Sequence, residues 1–116
     1  MQTYYLILRD EPTAFEGVSP SDMQAIVQRY VKWREANTAG VTGGQKLADG
    51  QGRVLRRKSG ALSVSDGPFV EAKEILGGFF VIEAESYDAA QAIAVTCPHL
   101  EFGSIELRQV EPMRRP

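Results

Sequence analysis

One stretch of sequence decides the fold, and it reads Ile75-Leu76-Gly77-Gly78-Phe79-Phe80-Val81-Ile82-Glu83-Ala84. Side chains alternate between the two faces of a strand, so Phe79 and Val81 point one way. Phe80 and Ile82 point the other way, which makes this predicted strand apolar on both faces. Such a strand is expected in the centre of a sheet, with material packed on each side.

The first predicted strand, residues 3–9, has the same character. Tyr4, Leu6 and Leu8 share one face, whereas Tyr5 and Ile7 share the other. Two central strands are therefore expected. The final strand instead alternates apolar and polar residues, which is typical of an edge strand.

Helix caps and chain-breaking residues delimit the other elements. Ser19 and Ser86 are predicted N-caps, Gly40 is a predicted C-cap, and Pro98 is expected to end the second helix. The predicted strands are residues 3–9, 41–47, 53–58, 61–65, 75–84 and 104–110, and the predicted helices are residues 20–39 and 87–97.

This order predicts an α+β fold of the ferredoxin-like type, βαββαβ with an extra hairpin, in which two helices cover one face of an antiparallel sheet. The first strand and the strand before the second helix should be central. The second apolar face then needs a cover. A two-fold dimer with sheets face to face provides one, and the extra hairpin or the loop of residues 10–18 folding over that face provides another.

Composition excludes several classes of protein. The 116 residues are 43% hydrophobic and 24% charged, with a net charge of -2. This length predicts a single domain, residues 1–116. No apolar run approaches the roughly 20 residues that span a bilayer, and the weakly acidic chain lacks the field that nonspecific nucleic-acid binding requires. A single cysteine and a single histidine exclude an internal disulfide and a multi-histidine metal site. We therefore expect a soluble cytoplasmic protein without a metal or cofactor.

The densest polar group precedes the apolar strand. Asp66, Glu71, Lys73 and Glu74 lie within nine residues of one another. If they converge on a cleft, they could transfer protons or hold a polar ligand. Alternatively, Asp66 caps a turn and the other three are solvated charges.

The sequence here resembles the DGPF branch of the YCII-related (YciI-like) family. The resemblance rests on Asp66-Gly67-Pro68-Phe69 with Glu71, Lys73, Glu74, Gly77, Gly78 and Phe79 at these offsets. It extends to the tyrosine-rich first strand, the Ser-Pro helix start, Cys97-Pro98 and the closing residues 103–108. It implies a dimeric α+β barrel in a bacterial cytoplasmic protein. Some relatives are encoded beside, or fused to, extracytoplasmic-function sigma factors, which makes a sigma factor a possible partner.

The wider family also suggests a chemistry. Some members have a His-Asp pair with the histidine in the first helix, and one dehydrochlorinase-like member acts on a chlorinated hydroquinone. Here residues 20–39 contain no histidine, so we expect that this pair does not transfer. His99 could shuttle protons if a carboxylate lay within reach, or it could be a solvated or capping side chain. Cys97 is expected to be an inert, buried thiol.

These observations lead to two functional predictions. In the first, the chain binds a small organic molecule near the dimer interface as a sensor or accessory module. In the second, it is a lyase-like, dehydrochlorinase-like or hydrolase-like enzyme that uses acid-base chemistry. The predicted ligand-binding residues are Asp66, Gly67, Pro68, Phe69, Glu71, Lys73 and Glu74, and the predicted catalytic residues are Asp66 and His99.

Overall fold

A computed structural model describes residues 1–66 and 74–112 of the chain. It contains six strands, two α-helices and one short 3₁₀ helix. The elements are β1 Gln2–Asp10, α1 Pro20–Ala36, β2 Val41–Lys46, β3 Arg53–Lys58, β4 Ala61–Asp66, β5 Ile75–Ala84, α2 Tyr87–Ala94, the 3₁₀ helix Pro98–Glu101 and β6 Gly103–Gln109.

The main sheet has the strand order β2-β5-β1-β6, and all three strand pairs are antiparallel. The central positions of β1 and β5 and the edge position of β6 confirm the sequence prediction. The register between β1 and β5 shifts between Leu8 and Arg9, opposite Gly77. A glycine pair inside a strand is typical of a bulge or a close backbone approach, and this shift is a bulge at Gly77. At the other edge of β1, Asp10 pairs with Gly103.

The core lies between the sheet and the two helices. Tyr4, Leu6 and Ile82 are fully buried at its centre. Helix α2 packs through Ala90 and Ala94, which are small enough for a close approach to the sheet. The α+β class and the antiparallel sheet are therefore as predicted.

Both helices begin where predicted and end early. The hydroxyls of Ser19 and Ser86 each accept a hydrogen bond, 3.1 Å long, from the backbone N–H three residues later. Helix α1 ends at Ala36 rather than at residue 39, because Asn37 turns its side-chain amide back to the Trp33 carbonyl at 2.7 Å. The prediction of Gly40 as the C-cap was wrong.

Helix α2 ends at Ala94, three residues before the predicted end. The Thr96 hydroxyl donates to the Ile93 carbonyl at 2.7 Å, and this bond helps to satisfy the end of the helix. The chain therefore leaves the helix before Pro98 and forms the 3₁₀ helix that contains His99.

The sheet face opposite the helices has an apolar centre. Tyr5 is 39% exposed and its ring stacks on Phe79, with the ring centroids 5.4 Å apart. Ile7 and Val81 on the same face are half-buried. Phe15, from the loop that was considered as a cover, instead stacks on Phe102 and lies on the helix side.

The β3-β4 hairpin forms a separate two-stranded sheet. Its apolar side chains Leu55, Leu62 and Val64 are each more than half exposed. Among the described residues, no helix is long and apolar enough to cross a membrane.

Candidate functional site

Helix α1 stands away from the sheet and leaves a cavity of about 350 Å³ between them. Five apolar residues recur at helical spacing and form one apolar stripe along α1, namely Met23, Ile26, Val27, Tyr30 and Val31. Such a stripe is typical of a helix packed in the core, but only Trp33 of this helix is buried. Val27 and Val31 are 49% and 41% exposed and line the cavity. Its volume is in the usual range for a small-molecule site. The other stripe residues in its wall are Met23, Ile26 and Tyr30.

The opposite wall of the cavity is kept flat by glycine. Gly44 has a φ of +156°, and a Cβ at this position would lie 2.6 Å from the Phe80 ring. A Cβ on Gly78 would lie 2.6 Å from the Gln45 carbonyl oxygen on the neighbouring strand. Both glycines therefore allow close approach of β2 and β5.

His99 is buried at the edge of this cavity, with 3% of its surface exposed. Its Nε2 lies 2.9 Å from the Arg9 carbonyl oxygen, which can only accept, so Nε2 carries a proton. In the neutral ring Nδ1 is then an acceptor, and the Tyr30 hydroxyl donates to it at 2.9 Å. The interpretation of His99 as a solvated side chain was therefore wrong.

Asp10 completes this group. Its Oδ1 lies 3.4 Å from Nε2 of His99, and the side chain is only 16% exposed. Burial raises the pKa of the Asp10 carboxyl above its usual value, whereas the nearby His99 and Lys46 oppose that rise. A proton gained by the imidazole would thus have a carboxylate beside it.

Tyr30 connects the histidine to the cavity. Burial is the largest cause that raises the pKa of its phenol, so the hydroxyl is neutral at physiological pH. Its proton is used in the bond to His99, and its oxygen can still accept a hydrogen bond. Tyr30, His99 and Asp10 together form a hydrogen-bonded chain, called the relay below, on the cavity wall.

Contacts between α1 and residues 96–101 hold the relay in place. The Arg29 guanidinium pairs with both carboxylate oxygens of Glu101, with Nη1 and Oε2 2.9 Å apart. This pair lowers the pKa of the Glu101 carboxyl. The Trp33 indole N–H donates to the Thr96 hydroxyl at 2.8 Å. These polar contacts join the helix to the loop that carries the histidine.

Of the ligand-binding residues predicted from the DGPF resemblance, the structure describes Asp66 and Glu74, and neither belongs to the relay. Asp66 is exposed at the end of β4, where it pairs with Arg53 of the hairpin. Glu74 is half-buried just before β5. Neither lines the cavity. The other predicted ligand-binding residues, Gly67, Pro68, Phe69, Glu71 and Lys73, lie outside the described residues.

Cys97 is buried, as expected. Burial raises the pKa of its thiol to about 11, so the group is a neutral thiol rather than a nucleophilic thiolate. Within residues 1–66 and 74–112, no group of three or more His, Cys, Asp and Glu side chains could hold a metal ion.

Sequence reasoning missed Asp10 and Tyr30. Asp10 follows an apolar strand and resembles an ordinary polar end, while Tyr30 belongs to a helical stripe that predicts core packing. For Asp10, however, the sequence contained a signal that it lies near His99. The predicted sheet order places the end of β1 beside the start of β6, and His99 shortly precedes that start.

Comparisons with known proteins identify the family. The model of the YCII-related domain matches residues 3–114. An uncharacterised protein of Rhizobium meliloti is 34% identical over 89 residues, which cover 75% of this chain and 68% of that protein. Among solved structures, the 5-chloro-2-hydroxyhydroquinone dehydrochlorinase of Burkholderia phenoliruptrix, in complex with 2,5-dihydroxybenzoquinone, matches with a TM-score of 0.46 and 16% identity over 94% of this chain and 93% of that chain. The match over residues 3–114 shows that the chain belongs to the YCII-related domain family.

Proposed function

We propose that this protein binds a small organic molecule in the cavity beneath α1 and that the relay moves a proton of that molecule. The observation that carries the proposal is the buried His99, which joins the cavity-lining Tyr30 hydroxyl to the Asp10 carboxylate. An apolar cavity with a few convergent polar groups is the usual form of a ligand site. A histidine with a carboxylate at one nitrogen is a common arrangement for a general base.

The proton transfer has a definite direction and balance. A ligand O–H or C–H gives its proton to the Tyr30 oxygen, while the Tyr30 proton passes to Nδ1 of His99. The ligand is then an anion and the imidazole a cation. Because burial raises the pKa of Tyr30, the phenol passes the proton on rather than persisting as a phenolate. Reversal of the two transfers returns the proton.

Asp10 acts in this scheme through the histidine. Its carboxylate lies 3.4 Å from Nε2 and offsets the positive charge that the imidazole acquires. The Arg9 carbonyl, at 2.9 Å from Nε2, holds the ring in the orientation that leaves Nδ1 facing Tyr30. Asp10 is thus a positioning residue, which acts on the proton transfer through the histidine.

Proton exchange at carbon tests the proposal. Cyclohexanone in D₂O is a suitable probe because its ring fits a cavity of about 350 Å³ and its α-protons can be followed by NMR. We expect catalysed exchange with the wild-type protein and its loss in both Tyr30→Phe and His99→Gln. Tyr87→Phe is the matched control, because the Tyr87 hydroxyl accepts a bond from the Gln109 N–H far from the relay.

Binding is measured separately through the fluorescence of Trp33, the only tryptophan of the chain. Its ring lies 5.0 Å from that of Phe80, which lines the cavity. Binding of ring-sized probes without exchange would support the sensor or accessory-module alternative. Absence of any binding at the cavity would refute both functions.

The open sheet face supports a second copy of the chain as a partner. Tyr5, Ile7, Phe79 and Val81 form an apolar centre. Charged pairs such as Arg9–Glu106 flank it, and an apolar centre with a polar rim is typical of protein interfaces. We therefore propose a homodimer through this face. Light scattering should give twice the monomer mass for the wild type and the monomer mass for Tyr5→Glu.

The DGPF segment keeps a place in the proposal. It leads directly into β5, whose residues Gly77 and Gly78 line the cavity. Its role in ligand binding, with Asp66, Glu71, Lys73 and Glu74 as the polar groups, stays a prediction from the family resemblance. A sigma-factor partner and a cytoplasmic location stay predictions from the family resemblance.

A further inference from the structure

Four charged side chains line the cavity, and three of them have partners. The Lys46 ammonium lies 2.8 Å from the Asp49 carboxylate, and Asp10 lies beside His99. Arg34 has no hydrogen-bonded or ionic partner for its guanidinium anywhere in residues 1–66 and 74–112. Among the described residues, Arg34 is therefore the cation in the cavity wall whose charge has no direct partner.

The position of Arg34 relates it to the relay. It follows Tyr30 by four residues in α1, so the two side chains lie on the same face of the helix, about 6 Å apart along its axis. Val27 and Val31 on the same helix provide an apolar surface beside them. A ligand of one ring can thus touch the valines, the phenol and the guanidinium together.

We propose that the natural ligand is a small cyclic or aromatic carboxylate, with its carboxylate bound by Arg34 and its exchangeable proton at Tyr30. This inference rests on the proposed function and specifies its substrate class. The guanidinium fork matches the two oxygens of a carboxylate and binds them by paired hydrogen bonds. Binding at one end of the ring would hold the other end at the relay.

A structural role for Arg34 makes a different prediction. The residue lies in the last turn of α1, where any positive charge interacts favourably with the helix dipole. A lysine would serve that role equally well, but it lacks the planar fork. Arg34→Lys therefore separates the two roles, and Arg34→Gln removes the charge altogether.

A matched pair of probes tests the inference. We suggest 3-hydroxybenzoate and 3-hydroxybenzyl alcohol, which share the ring and the phenol and differ in the carboxylate. Titration against Trp33 fluorescence should show that the wild type binds the carboxylate about tenfold more tightly, as expected for a hydrogen-bonded charged group. Added salt should weaken only the binding of the carboxylate.

The variants assign the preference to one side chain. Arg34→Gln should bind the two probes equally, and Arg34→Lys should lose most of the preference while unfolding like the wild type. Lys32→Gln is the control, because Lys32 is an exposed cation on the same helix that does not line the cavity. It should keep the tenfold preference.

Each other outcome overturns a different statement. Equal binding of both probes by the wild type would overturn the carboxylate assignment and leave the proposed function intact. A preference that persists in Arg34→Gln would overturn the role of Arg34. Failure of both probes to bind would overturn the proposed function together with this inference.

Discussion

Replacement of Tyr30 by phenylalanine is the most direct perturbation of the relay. The substitution removes one oxygen and keeps the ring that lines the cavity. The removed hydroxyl donates to Nδ1 of His99 at 2.9 Å. Because His99 is only 3% exposed, its nitrogen is left with an unsatisfied lone pair. The variant should therefore lose stability as well as proton exchange.

The size of that loss follows from the surroundings. An unsatisfied buried acceptor costs roughly 1–3 kcal/mol, and the adjoining cavity gives a water molecule access to the vacated space. We therefore expect a loss at the lower end, about 1 kcal/mol, or about 4 °C in melting temperature for a domain of this size. In Tyr87→Phe the lost bond to the Gln109 N–H lies at an exposed residue, so water replaces it and stability should hardly change.

Urea unfolding followed by Trp33 fluorescence measures both variants. Equal slopes would show that only stability has changed. If Tyr30→Phe were as stable as Tyr87→Phe, the hydrogen bond from the Tyr30 hydroxyl to Nδ1 of His99 would not stabilise the fold. That result would refute the relay. A stability loss with unchanged exchange of the cyclohexanone protons would keep the bond and refute its catalytic role.

Three further predictions follow from the same site. Burial raises the pKa of the Asp10 carboxyl above its unfolded value near 3.8, so the folded state favours the protonated acid. The free energy of unfolding of the wild type, measured by urea titration relative to Asp10→Asn, should therefore be highest at low pH. It should fall as the pH rises through the pKa of Asp10 in the folded state. Gly77→Ala should reduce the exchange of the cyclohexanone protons at least tenfold, because the new Cβ would lie 2.6 Å from the Asp10 carboxyl carbon and move that group away from His99. Gly43→Ala is the control, since its Cβ would make only an ordinary 3.5 Å contact, and it should catalyse the exchange like the wild type. The buried Cys97 thiol, with a pKa of about 11, should not react with a thiol reagent at pH 8 while the chain is folded. In urea its rate of modification should equal the rate of unfolding.

The fold could be predicted because each level of the sequence agrees with the next. Two strands that are apolar on both faces can only be central, and β1 and β5 are central. The Ser19 and Ser86 caps fix the helix starts. The helix ends were less predictable, since Asn37 ended α1 before Gly40 could. That end depends on a side-chain bond to Trp33, which no periodicity reveals.

The site could be predicted only in part. His99 was singled out as a lone histidine, but its partners come from elements distant in the sequence. Asp10 lies at the end of β1 and Tyr30 within α1, and the register of β1 with β6 brings the first of them to the histidine. Periodicity assigns Tyr30 to the core because the stripe of α1 is typical of a packed helix. It could not show that this helix stands away from the sheet.

The incomplete packing of α1 connects stability with function. Val27 and Val31 would each contribute more if they were buried against the sheet, since burial of a valine stabilises a fold by about 1.5 kcal/mol or more. The helix is instead held by Trp33, the Arg29–Glu101 pair and the Tyr30–His99 bond, all of which face residues 96–101. These contacts hold the relay in place, while the apolar stripe stays open to the cavity. A ligand ring bound beneath α1 would bury the side chains of Val27 and Val31, and this burial of apolar surface would contribute to the free energy of binding.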